Sequence, residues 1–193
     1  MAKSSVDKSP LPLIRDFSLA QTMIYEGKAY HVANPTMLTG VTGQSTHALT
    51  LATIYLGNRG SRQMVPLWAR FSQSGTVAGG RIQWGIKIAD TDQFTSGTAL
   101  TVEPLNADLG GGSQAVGQHT ATIPAFTAGN ARNLAAGELF MTVLLNNAAD
   151  PLEMLPFPGC CVINPGGAMY IYTNAATTGP TWQFDVAWAE LEV

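Results

Sequence analysis

The end of the chain constrains the fold more than any other stretch. In residues 181–193, Trp182, Phe184, Val186 and Trp188 occupy alternate positions, with Gln183, Asp185, Ala187 and Ala189 between them. A period of two puts the large apolar side chains on one face of a β-strand and the smaller or polar ones on the other. Burying one large apolar side chain contributes roughly 1.5–3 kcal/mol, so this face offers roughly 6–12 kcal/mol against a net stability of about 5–15 kcal/mol. A strand with that much to bury belongs to the core.

Nine further segments have the length and composition of strands: 29–33, 48–56, 63–72, 81–89, 99–103, 118–123, 138–145, 160–163, 168–173, and with them the closing strand at 182–190. Gly, Asn, Pro and Ser clusters separate them, a spacing that predicts a sandwich or barrel. Alternation is clear in 81–89, where Ile82, Trp84, Ile86 and Ile88 oppose Arg81, Gln83 and Lys87. Segment 138–145 is apolar on both faces, which predicts a central strand covered on two sides. Asn164-Pro165-Gly166-Gly167 reads as a tight turn, because Pro sets its first corner and Gly tolerates positive φ at the next. The stretches 106–117 and 125–137 are longer and rich in Gly, Ala and Asn. Tight turns mixed with long crossovers suit strands that pass between two sheets. Helical signals are confined to a turn or two at 17–25 and at 130–137. The expected fold is therefore all-β, an antiparallel β-sandwich of jelly-roll or Greek-key topology. Residues 17–193 form its single domain. Residues 1–16 contain Pro10 and Pro12 and no period of either kind, and predict an extended N-terminal arm.

Composition narrows the function. Charged residues make up 12% of the 193, against a usual share of about 25%, so the surface is pale and suited to protein neighbours. The net charge of −3 conceals an asymmetry: residues 1–89 carry +6 and residues 90–193 carry −9. Two readings account for it. Strands of the two halves interleave and neutralise each other within one molecule, or subunits associate head to tail. No segment combines a dense basic run with stacking aromatics, which argues against direct nucleic-acid binding. Cys160 and Cys161 are adjacent, and a bridge between neighbours is strained, so two reduced thiols are expected, compatible with assembly in a reducing cytosol. The N-terminus shows no signal peptide and no segment approaches the roughly 20 apolar residues of a membrane span.

Catalytic motifs are not evident. His31, His47 and His119 are far apart in sequence, and each reads as a hydrogen-bonded surface or loop residue. Asp90-Thr91-Asp92 opens like a calcium loop but lacks the later Gly and Glu, so it reads as a loop capping a strand. Gly110-Gly111-Gly112-Ser113 lacks the Lys and following helix of a phosphate-binding loop. There is no G-x-S-x-G, and the cysteines have no local partner to make a nucleophile. No residue is assigned a catalytic, cofactor or metal role. Tyr170 and Tyr172 offer either a sugar-binding row or core packing with the phenol tips reaching water. Arg59, Arg62 and Arg70 bracket the turn at Gly60-Ser61 and, with Lys3, Lys8 and Arg15 of the arm, are the candidate intersubunit contacts, since guanidinium groups suit ion pairs across interfaces.

The stretch Gly27-Lys-Ala-Tyr-His-Val-Ala-Asn-Pro-Thr36, the Gly79-Gly-Arg-Ile-Gln-Trp84 arm and the closing Trp-x-Phe-x-Val-x-Trp-x-Glu strand resemble virion structural proteins of tailed bacteriophages. Among these the chain is most similar to the small jelly-roll decoration, or cement, proteins of the capsid. The resemblance implies a non-enzymatic protein without cofactors, a homotrimer that clamps neighbouring major capsid subunits, with its arms reaching onto the shell. It implies a place on the capsid surface of the virion after synthesis in the host cytoplasm. The alternative is a receptor- or carbohydrate-binding module of a phage tail fibre or head fibre.

Overall fold

The structure, a computed structural model, describes residues 18–37, 39–74, 80–109, 111–126, 131–141, 152–155, 158–175 and 181–192. The expected arm, 1–16, lies outside the described residues. Among the described residues one helix, α1 (Leu19–Tyr25), precedes twelve strands: β1 (Ala29–Ala33), β2 (Val41–Thr42), β3 (Leu51–Asn58), β4 (Gln63–Ser74), β5 (Gly80–Ala89), β6 (Ser96–Leu100), β7 (Glu103–Pro104), β8 (Ala115–Thr122), β9 (Ala131–Met141), β10 (Leu152–Glu153), β11 (Ala168–Ala175) and β12 (Thr181–Leu191).

The strands form two antiparallel sheets. Sheet I runs β10-β4-β12-β1-β7, with β2 pairing one end of β12, and sheet II runs β6-β8-β3-β11-β5-β9. Four pairings are nested in the sequence: β1 with β12, β3 with β11, β4 with β10 and β5 with β9. Such nesting sets strands from early in the chain beside strands from late in it. The strands β6, β7 and β8 come between β5 and β9 in the chain and widen both sheets at one side.

The nesting also answers the charge asymmetry. In sheet I the strands from the two halves of the sequence alternate throughout, and in sheet II they alternate except at β6-β8. Ion pairs follow: Arg59 with Asp92, Arg62 with Glu190 and Glu192, and His31 with Asp185 and Glu103. The intramolecular reading accounts for these pairs without a second subunit.

The layer between the sheets is the main core. Trp182, Phe184, Val186 and Trp188 of β12 all lie in it, facing Ile54 and Leu56 of β3, Ile82, Ile86 and Ile88 of β5, and Met169 and Ile171 of β11. Phe71 packs edge-on to Trp182 and stacks on Phe184, with ring centroids 5.8 and 5.9 Å apart. A hydrogen bond ties the sheets together where Trp182 Nε1 donates to Thr173 Oγ1 at 2.9 Å. Strand β4 contains Pro66, which has no N–H for the ladder. Between Ala187 and Trp188 the β4-β12 register shifts, and Leu67 is the extra residue on β4. This bulge lies beside the proline, while β12 keeps its alternation and Trp188 stays inward.

Both sheets are covered on their outer faces too. On sheet I, Ala20, Met23 and Ile24 of α1 pack on Val65, Leu67, Ala187 and Ala189. Ser18 caps the helix in a reciprocal box with Gln21, and Gly27, at φ +69, ends it. On sheet II, Tyr55, Tyr170 and Tyr172 lie beneath Phe94 and Phe126. The turn at 164–167 forms as its sequence predicts, with Gly166 at φ +81 and Gly167 N–H donating to Asn164 O at 2.9 Å.

Five segments differ from the sequence expectation. Of segment 138–145, residues 142–145 lie outside the described residues, and 138–141 belong not to a central strand but to β9, which begins at Ala131 and, among the described residues, pairs with β5 alone, at the edge of sheet II. Residues 131–137 are accordingly strand rather than helix. Their Ala- and Asn-rich sequence carries no period, and the ladder to β5 decides their conformation. Segment 99–103 is divided, since β6 belongs to sheet II and β7 to sheet I, so the chain crosses the sandwich between Leu100 and Glu103. Segment 160–163 contributes only an isolated bridge from Ile163 to Met64. Ala187 and Ala189, on the polar face of the closing strand by alternation, are buried under α1.

Candidate functional site

Of the six candidate contact residues, Lys3, Lys8 and Arg15 lie outside the described residues. The other three do not form one cluster. Arg59 and Arg62 flank the turn at one end of β4, whereas Arg70 lies well along that strand, in register with Asp185 of β12.

At the turn, the guanidinium of Arg59 pairs with Asp92 at 3.2 Å and lies 5.4 Å from the centroid of the Phe94 ring. Tyr55 donates from its hydroxyl to the other oxygen of Asp92 at 2.6 Å. Burial first, and then the hydrogen bond to Asp92, push the Tyr55 phenol far above its ordinary value, so it remains a donor. The acidic loop thus caps the sheet, as its sequence predicts. Arg62 Nη1 lies 3.6 Å from Glu190 and Nη2 3.7 Å from Glu192.

Glu190 is a buried carboxylate that sequence inspection does not single out. It accepts from Trp188 Nε1 at 3.2 Å, from Gln114 N–H at 3.1 Å, from Ala115 N–H at 3.3 Å and from the Ser113 hydroxyl. Its role is to clamp the crossover before β8 onto the end of β12. The signal was its phase: Glu190 falls in step with the inward residues Val186 and Trp188. Asn58, also buried, donates from Nδ2 to the carbonyls of Arg62 and Ile163 at 2.8 and 2.9 Å and holds the same end of the sandwich.

On sheet I, beyond the half covered by α1, a polar ladder crosses the strands. His31 Nδ1 is 2.9 Å from Asp185 Oδ1, and Trp68 Nε1 donates to Asp185 Oδ2 at 2.7 Å. His31 Nε2 faces Glu103 at 3.8 Å. The hydrogen bond to Asp185 raises the His31 pKa; partial burial opposes it, and the charges of Asp185 and Glu103 add to it. With carboxylates on both ring nitrogens, this is an ion-pair ladder rather than a relay to a nucleophile. The Arg70 guanidinium lies 5.1 Å from the centroid of the Trp68 ring. Beside it is an open hollow of about 500 Å³ lined by Asn34, Met37, Arg70, Ser72 and Gln183. Met37 is 87% exposed at its rim.

The remaining candidates are packing groups. Tyr170 accepts from Gln93 N–H at 2.8 Å and Tyr172 donates to Leu49 O at 3.0 Å, so both phenol tips meet backbone rather than water. Burial pushes the Tyr170 phenol up to about 12. Cys160 and Cys161 are free, part-buried thiols, and burial with the neighbouring sulfur pushes Cys161 up to about 12, away from the thiolate form. His119 contacts Thr120 Oγ1 at 3.1 Å, and burial lowers its pKa. Among the described residues no three His, Cys, Asp or Glu side chains are grouped to hold a metal ion, and no helix is long and apolar enough to cross a membrane.

The fold is that of an all-β protein built from two stacked antiparallel sheets. No protein-family model matches the chain, no curated protein matches its sequence and no solved structure matches its fold.

Proposed function

We propose that the protein is a non-enzymatic structural component of a bacteriophage virion, a jelly-roll module that decorates the capsid as a homotrimer and clamps neighbouring major capsid subunits. One observation carries this reading. Ser18, the exposed N-cap of α1, stands on the outer side of sheet I, the face that also presents Arg70, Met37 and the open hollow. An arm preceding Ser18 and this open sheet face would together make a two-part attachment surface. Residues 1–16 hold too little apolar surface to fold alone, so a partner would order them, and their two prolines reduce the entropy lost in doing so. Three arms in a closed trimer would raise avidity well beyond that of one.

Deleting residues 1–16 tests this. The truncated chain is expected to keep its far-UV spectrum and melting temperature while its attachment to capsids lacking the protein falls sharply. Attachment equal to that of the full chain would remove the arm as an anchor and favour the tail-fibre reading. Sedimentation of the full chain as a 20.4 kDa monomer at micromolar concentration, with no oligomer on particles, would remove the trimer.

A further inference from the structure

The outer face of sheet II carries a furrow of about 460 Å³, within the range of small-molecule sites. Its geometry follows from the register. Across β11, β5 and β9, Tyr172 stands opposite Gly85 and Gly85 opposite Ala136, which makes a low central row. One bank is Asn174 and Gln83, paired strand to strand, with Asn174 Nδ2 donating to Gln83 Oε1 at 3.3 Å. The other bank is Lys87 and Asn133, likewise paired. The end wall is His47, whose ring sits edge-on to Tyr172 at 5.9 Å, held where Tyr172 donates to Leu49 O.

We propose that this furrow binds a neutral oligosaccharide. Such a ligand offers hydroxyls, each both donor and acceptor, separated by apolar C–H faces. The banks supply side-chain amides, which likewise both donate and accept. The exposed Asn133 amide and the Asn174 carbonyl oxygen face a cleft without being consumed by packing. The floor of Gly85 and Ala136 is apolar and flat enough for a ring to approach the backbone. Among the described lining residues there is one cation, Lys87, whose ammonium already lies 5.6 Å from the Phe126 ring centroid, and no carboxylate. That balance disfavours a polyanion, which would need a row of cations. The furrow lies on the opposite side of the sandwich from Ser18 and Arg70, so attachment through sheet I would leave it open, and its test does not depend on the capsid reading.

The experiment uses the labelled full chain on an array of defined neutral and acidic glycans, followed by calorimetric titration of the best neutral hit. Saturable binding to a neutral glycan is expected. A Cβ added at Gly85 meets nothing nearer than 3.8 Å, so Gly85→Val should fold and fill the floor. It is expected to weaken binding by about tenfold or more with unchanged melting, and Asn133→Ala and Asn174→Ala should each weaken it several-fold. Should Gly85→Val misfold, the two Asn variants decide. No saturable binding to any neutral glycan, binding confined to acidic glycans, or binding unaffected by the variants that fold would each overturn the proposal.

Discussion

The two outer faces of the sandwich are covered by different means. Sheet I is covered locally in sequence: α1 immediately precedes β1, and its apolar side chains rest on small residues, Ala29, Ala187 and Ala189, with Val65 and Leu67. Sheet II is covered by aromatic rings from distant loops, Phe94 and Phe126, and the tyrosines beneath are pinned through their hydroxyls to Asp92, Gln93 and Leu49. Helix-on-alanine contact is non-directional and leaves the other half of sheet I open for the His31 ladder and the hollow. Ring-and-hydroxyl contact is directional, so it fixes loops and with them the walls of the furrow. The less specific cover leaves an open face, and the more specific one builds a shaped groove.

The largest effect is expected in the layer both faces share. Trp188→Ala removes a fully buried ring and the indole donor to Glu190, and should destabilise by about 3–5 kcal/mol in equilibrium urea unfolding. A change below about 1 kcal/mol would place that ring outside the energetic core and leave the outer faces to carry the fold.

A smaller change should separate directional from non-directional cover. Tyr55→Phe keeps the ring stacked on Phe94 but deletes the hydroxyl bond to the Asp92 carboxylate, and should cost about 1.5–3 kcal/mol. Proteolysis of the loop around 90–95 should accelerate in parallel. If stability and cleavage are both unchanged, the rings alone hold sheet II's cover and the contrast with sheet I fails.

The smallest effect is expected at the ladder on sheet I. The His31 pKa is raised in the folded state, so protonated His31 stabilises the fold fully below its unfolded value near 6.5, and this contribution is lost as pH rises through the folded value. His119, lowered by burial, acts in the opposite direction. The measurable quantity is therefore the difference between the full chain and His31→Gln: the advantage of the native chain in melting temperature should shrink from pH 6 upwards. A difference independent of pH would mean that His31 contributes by packing or neutral hydrogen bonding alone.

The charge asymmetry shows how sequence and topology interact. Its count was plain, and it left two readings open. Nested pairing interleaves the two halves within one chain, because joining the first strand to the last and working inward sets basic early strands against acidic late ones. Arg70 opposite Asp185 and Arg62 beside Glu190 are consequences of that winding. Nothing local marks either pair.

The sequence by itself determined the elements whose side chains alternate or whose turns demand particular backbone angles. The closing strand, 81–89, 29–33 and the Asn164-Pro165-Gly166-Gly167 turn were legible because period-two burial and positive φ are local properties. Tertiary structure alone decided where a strand sits and what covers it. β9 and β12 are both eleven residues long, yet one lies at an edge and the other at the centre of its sheet. Ala187 and Ala189 became core only because α1 lies over them. The furrow was illegible for the same reason: its floor and banks come from three strands, and only their register sets Asn174, Gly85 and Asn133 around one cleft. Alternation specifies which way a side chain points, and only pairing specifies what it meets.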